Sequence, residues 1–291
     1  MRTSATACLR VGLLILAVVV IAGCSSTRTA YRYADWGLMW WVEDYVTLSD
    51  AQRSRLDADF RAFRQWHCSE ELPRYSQWLA NLEQDLEAGR LSAAEVRQRQ
   101  QQLFAAIERL LVRATPLATH LLADLSPAQV AELEANMAAN QREKEEEYLS
   151  PDPGVAMDSR ESRTRERAER WLGDLNAEQR RIIADWNRAR GDQTRIWLEG
   201  RQRWQSALQE ALTLRPGEAF EARMETLIQD SASVRGSDYQ AMMADSRQAL
   251  AELVSALLTS ADASQRQHLK QELADLRRDF QALSCDAPAP G

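Results

Sequence analysis

Apolar residues recur three and four positions apart through most of the chain, as at Leu56, Phe60, Phe63 and Trp66, and again at Val96, Leu103, Ile107, Leu110 and Leu111. That spacing lines one face of an α-helix, and no segment shows the strict alternation of a half-buried strand. The pattern predicts an all-α protein, a multi-helix bundle of long amphipathic helices. Glycine, with 11 residues, and proline, with 8, are scarce enough to let such helices run long.

The helix starts carry a recurring signal. Leu48-Ser49-Asp50-Ala51-Gln52, Leu125-Ser126-Pro127-Ala128-Gln129 and Leu175-Asn176-Ala177-Glu178-Gln179 share one form, and Leu91-Ser92-Ala93-Ala94-Glu95 is a close variant. A Ser or Asn at the N-cap accepts a hydrogen bond from an orphan backbone N–H, and a Gln or Glu three residues on reaches back to the cap's own N–H. The order of these strings suggests duplication. One common shift aligns Leu48 and Gln52 with Leu175 and Gln179, and nearly the same shift aligns Trp78, Leu82 and Leu86 with Trp204, Leu208 and Leu212. A slightly longer one brings Gln129 and Leu133 onto Gln265 and Leu269. The layout expected from this is an N-terminal helical half over 31–149, a linker over 150–157 around Ser150-Pro151-Asp152-Pro153-Gly154, a C-terminal helical half over 158–285 and a tail over 286–291. The charged runs Arg142 to Tyr148 and Ser159 to Arg170 flank the linker and read as solvated helix faces.

The beginning of the chain has a different character. Arg2 precedes an apolar run from Leu9 to Ile21 that Arg10 interrupts near its start, too short for a comfortable membrane span, and it ends in Ile21-Ala22-Gly23-Cys24. That string resembles the lipobox of bacterial lipoproteins. The resemblance implies a signal peptide over 1–23, cleavage before Cys24, a diacylglyceryl thioether and acylated amino terminus on Cys24, and a lipidated tether over 24–30. Ser25 stands where an aspartate commonly retains lipoproteins at the inner membrane, so the expected location is the periplasmic face of the outer membrane.

This address changes the reading of composition. The net charge is −7, and losing two arginines with the signal peptide makes the rest two charges more negative. Such a surface argues against nucleic acid as a partner and against charge-driven binding of anionic lipid. Of four cysteines, Cys8 leaves with the signal peptide and Cys24 is consumed by lipid. Cys68 and Cys285 remain in a compartment that oxidises thiols, and a disulfide stapling the two ends of the domain is expected.

Three clusters are candidate sites. In the aromatic segment Tyr31 to Val46, Trp36 and Trp40 share a helical face with Tyr33, while Trp41 points elsewhere. Packing in the bundle core is the expectation; rings at headgroup level, so soon after Cys24, are the alternative. Trp66 to Tyr75 gathers His67, Cys68, Glu70 and Glu71, with His67 and Glu71 four apart on one helical face. A metal site or a Cys–His nucleophile can be drawn from these residues, but a polar helix junction kinked at Pro73 is the plainer reading. Trp186, Trp197 and Trp204 lie on roughly one side of a helix, as core indoles rather than a stacking groove. No nucleophile elbow, zinc-protease, P-loop or dinucleotide fingerprint occurs, so neither enzymatic activity nor a cofactor is expected.

The strings ADWGLMWWVEDYV, LSDAQ and WHCSEELPRY together resemble a family of proteobacterial outer-membrane lipoproteins defined by a domain of unknown function. The resemblance covers most of the chain after Cys24 and implies an all-helical envelope protein without a known activity. The L-S-x-x-Q strings are also similar to those of small periplasmic helical stress chaperones. The expected function is a non-enzymatic scaffold or interaction protein of the cell envelope, held to the membrane by its lipid and partnered by another envelope protein. The alternatives are a periplasmic chaperone or envelope-stress factor and, behind it, an enzyme modifying envelope polymers. Oligomeric state is open.

Overall fold

A computed structural model describes the chain over residues 24–149 and 153–285. The predicted signal peptide 1–23 and tail 286–291 lie outside the described residues. The elements in chain order are α1 (Cys24–Arg32), α2 (Ala34–Glu43), α3 (Asp50–Trp66), a π-helical turn (His67–Glu71), α4 (Leu72–Glu87), α5 (Ala93–Ala123), α6 (Pro127–Tyr148), α7 (Pro153–Leu172), α8 (Ala177–Arg188), α9 (Gln193–Leu212), α10 (Glu218–Gln229), α11 (Ser231–Arg235), α12 (Ser237–Thr259) and α13 (Ala263–Leu283). The described residues contain no strand, and the fold is the expected all-α bundle.

All four predicted helix starts are capping boxes with both reciprocal hydrogen bonds, at Ser49/Gln52, Ser92/Glu95, Ser126/Gln129 and Asn176/Gln179. A fifth, unforeseen, opens α13: Asp262 Oδ1 accepts from Gln265 N at 2.9 Å and Gln265 Oε1 from Asp262 N at 3.2 Å. Three of these boxes share one more device. Arg53, Arg180 and Arg266, each directly after its glutamine, fold back to donate to the carbonyls of Leu48, Leu175 and Ala261. The preceding apolar residues Leu48, Leu125, Leu175 and Ala261 are buried, so four of the five helix starts are pinned both by polar closure and by an apolar plug, while Leu91 is half-buried.

The chain forms two compact units. Among the described residues the first comprises 24–44, 48–90 and 267–285; the second comprises 45–47, 91–149 and 153–266. Both gather segments from either side of 150–157, so the units do not follow the halves 31–149 and 158–285. The segments read as tether and linker are also partly helical. Residues 24–30 belong to α1, and α7 begins at Pro153, which suits a first helical turn because its missing N–H is an orphan there in any case.

In the first unit, Leu56, Phe60 and Phe63 of α3, Leu72 and Leu79 of α4, and Leu273, Leu276 and Phe280 of α13 are buried. Arg277 chelates Glu83 at 2.9 and 3.3 Å and Lys270 reaches Glu87 at 3.1 Å, tying α13 to α4. The predicted disulfide is formed. Cys68 and Cys285 are joined with their Cα atoms 5.1 Å apart.

In the second unit α9 is central, with Leu198, Ala207, Leu208, Ala211 and Leu212 buried against α6, α10, α11 and α12. Close approach depends on Gly200, where an added Cβ would stand 2.9 Å from the Tyr239 ring and 3.2 Å from Arg235 Cβ. The run Arg142 to Tyr148 is less solvated than its charges imply. Lys144 is buried, donating to Glu147 at 2.6 Å with its ammonium over the Tyr148 ring.

Candidate functional site: a buried histidine and an exposed aromatic stripe

The segment Trp66 to Tyr75 stays helical through Pro73. Pro73 has no N–H and its ring crowds the carbonyl four residues back, and the chain accommodates it with the wide turn His67–Glu71 while staying helical from Asp50 to Glu87. Across this turn the Leu72 N–H donates to His67 O, five residues back. The Cys68 carbonyl, which an α-helix would have given to Leu72, instead accepts the Cys285 N–H at 3.2 Å. The π turn therefore prepares the seat of the disulfide.

The same turn points His67, Cys68 and Glu71 inward. His67, 4% exposed, sits in an aromatic shell with Tyr31 and Phe63 stacked at centroid distances of 5.6 and 6.2 Å, and Tyr75 edge-on at 5.6 Å. Its Nδ1 shares a hydrogen bond of 3.1 Å with the Tyr31 hydroxyl, the donor being set by the imidazole tautomer, and its buried Nε2 has no partner. Burial pushes the His67 imidazole down to about 4, against the opposing pull of Glu71. Burial likewise pushes the Tyr31 phenol up to about 12, partly offset by Arg64. Both groups are neutral at pH 7. Glu71 is fully buried and accepts from Arg74 at 2.6 Å, whereas Glu70 lies outside and pairs with the same guanidinium at 3.3 Å. The structure thus brings His67 and Glu71 together, leaves Glu70 apart from them, and turns the pair away from solvent. Among the described residues no cluster of three or more His, Cys, Asp or Glu side chains is arranged to hold a metal ion.

A stability change follows from His67. Its folded value lies below the unfolded value of about 6.5, so the unfolded chain binds the extra proton first and stability falls as pH drops through the window from about 6.5 to about 4. Between about pH 7.5 and about pH 4.5 the wild type is expected to lose roughly 2.5 kcal/mol that a His67→Phe variant keeps. Urea unfolding of both oxidised proteins at the two pH values measures the difference, and equal pH dependence would refute it.

The aromatic first segment departs from expectation. Tyr33, Trp36 and Trp40 are 60%, 70% and 46% exposed, so these rings are not in the core. Both sides of α2 are apolar, and the inward side is taken by Val42, with Leu38 and Trp41 half-buried. The later tryptophans are half-buried rather than in the core, and they sit on two helices instead of one, Trp186 on α8 and Trp197 and Trp204 on α9. Trp186 Nε1 donates to Ala249 O at 3.1 Å and Trp204 Nε1 to Leu227 O at 2.8 Å, while Trp197 meets Tyr148 edge-on. Among the described residues no helix is long and apolar enough to cross a membrane.

A family model for a family of unknown function, DUF6279, matches residues 44–240. The chain belongs to this family. No curated protein and no solved structure matches it. The DUF6279 match takes in His67, Glu71 and the first half-cystine Cys68. It begins after Trp40 and Trp41 and ends before Cys285, so the exposed stripe and the second half-cystine lie outside it.

Proposed function

We propose that this member of DUF6279 is a lipid-anchored, non-enzymatic scaffold or interaction protein on the periplasmic face of the outer membrane. The observation that carries this reading is the cystine Cys68–Cys285, which closes the first unit between α3/α4 and α13. Such a bond persists in an oxidising compartment, and Ile21-Ala22-Gly23-Cys24 after an apolar run is the route there that the sequence offers. The inward placement of His67 and Glu71 supports a structural use for the most reactive-looking side chains. The glutamines of the L-S-x-x-Q strings are engaged in helix caps, so those strings lend no separate support to a chaperone.

The anchor is tested by mass analysis of the amino-terminal peptide and by separation of inner and outer membranes. The peptide is expected to begin at Cys24 and to carry three acyl chains, with the protein in the outer-membrane fraction. Ser25→Asp is expected to move it to the inner-membrane fraction. An unmodified thiol on Cys24 would sink the anchor. The interaction role is tested by crosslinking in living cells, where one recurrent envelope-protein partner is expected and the absence of any counts against the scaffold.

A further inference from the structure

We infer that the outer face of α1 and α2, built on Tyr33, Trp36 and Trp40, docks at headgroup level on the bilayer that holds the anchor. This rests on the lipid proposed at Cys24 and extends it from a tether to a fixed orientation.

The two short helices form a rod broken at Tyr33, whose backbone leaves the helical region at φ −103° and ψ 18°. Tyr33 N donates to Thr29 O at 3.1 Å and Gly37 N to Tyr33 O at 3.0 Å, so hydrogen bonds hold Tyr33 to the helix on either side of the break. On such a rod Thr29, Arg32, Tyr33, Trp36 and Trp40 fall within an arc of about 100°, and all five are exposed. Thr27 and Val42 are buried on the opposite side, where Tyr31 reaches His67. Arg28 clamps the rod further, its Nε donating to the buried Asp279 at 2.6 Å. The aromatic stripe is therefore held outward by a fixed inner face.

Three features select a bilayer as the occupant. The stripe begins shortly after Cys24, and the rod places Trp36 about 18 Å along its axis from that residue at 1.5 Å per residue, so a rod lying flat keeps the rings at the interface. Residues 1–23, outside the described part, contain the apolar run that the proposed signal peptide would use to bring Cys24 to the membrane. Among the five stripe residues the one charge is Arg32, and the neighbouring carboxylate, Asp35, lies beside the stripe and faces Arg64 at 4.0 Å, on a chain whose net charge is −7. Indole and phenol rings with a basic neighbour are the side chains that settle between headgroups and acyl chains.

The test uses the full mature chain in phosphatidylcholine vesicles with or without bromine on the upper part of the acyl chains. Bromine quenches nearby tryptophans, so the wild type is expected to lose fluorescence, while Trp36→Ala/Trp40→Ala keeps nearly all of its remaining signal. Trp186→Phe is expected to be quenched like the wild type. The two exposed tryptophans make little packing, and an unchanged melting temperature confirms that the double variant is folded. The mass of the same preparation reports lipid on Cys24 separately. Lipidated but unquenched protein overturns the docking face alone; unlipidated yet quenched protein overturns the anchor alone and supports the face. A stripe that pairs two copies of the chain instead gives no quenching and a detergent-solubilised dimer that Trp36→Ala/Trp40→Ala dissociates, which also overturns docking.

Discussion

Replacing Cys68 and Cys285 by alanine is expected to destabilise the protein by roughly 5 kcal/mol, the chain-entropy cost of releasing so long a loop. The two cysteines are 217 residues apart in sequence, and closing that loop removes a large share of the freedom of the unfolded chain. The native seat adds to the effect. The π turn aims Cys68 inward and gives its carbonyl to the Cys285 amide, so the bond joins parts already in register. The measurement is urea unfolding of the oxidised wild type, the reduced wild type and the double variant. The last two should agree, with amide exchange accelerating first over residues 267–285. A change below about 1 kcal/mol would show that α13 is held by its ion pairs and apolar contacts alone.

The second large effect is expected at Gln179. This side chain is fully buried, and its amide is closed against that of Gln265 by two bonds of 2.9 Å. Its oxygen also caps α8 by accepting from Asn176 N at 3.0 Å, and its nitrogen reaches Leu257 O at 3.4 Å. Gln179→Leu removes half of a capping box and strands part of a buried amide, for a combined cost of about 3 kcal/mol. Adding Gln265→Leu removes the stranded partner as well, so the double variant is expected to lose clearly less than the two single losses combined. Strict additivity in thermal or urea unfolding would show that the two amides do not depend on each other.

How far the candidate sites were legible follows from the kind of signal each residue carries. Ser49, Ser126 and Asn176 act within their own turn, so a four-residue string was enough to place them. The fifth box, Asp262 with Gln265, was readable by the same rule. The arginine that follows Gln52, Gln179 and Gln265 was a visible repeat whose use was missed. The π turn was not legible, because Pro73 permits a kink or a wide turn and the choice belongs to the Cys285 segment that meets it. Large rings are usually buried, and on that ground Trp36 and Trp40 read as core residues. Neighbouring positions on α2 are apolar on every side, so periodicity could not say which face turns inward.

By itself the sequence determined the helices, their starts, the membrane address as an expectation and the pairing of Cys68 with Cys285, since all of these follow from local spacing or from simple elimination among four cysteines. Tertiary structure alone decided that the part of α13 from Gln267 onward packs in the first unit, that Gln179 and Gln265 close on each other, that His67 is sealed within an aromatic shell and that Trp36 and Trp40 face outward. Those outcomes depend on contacts between residues far apart in the chain, where burial of one face exposes the other, and a helical repeat contains no record of which neighbour arrives first.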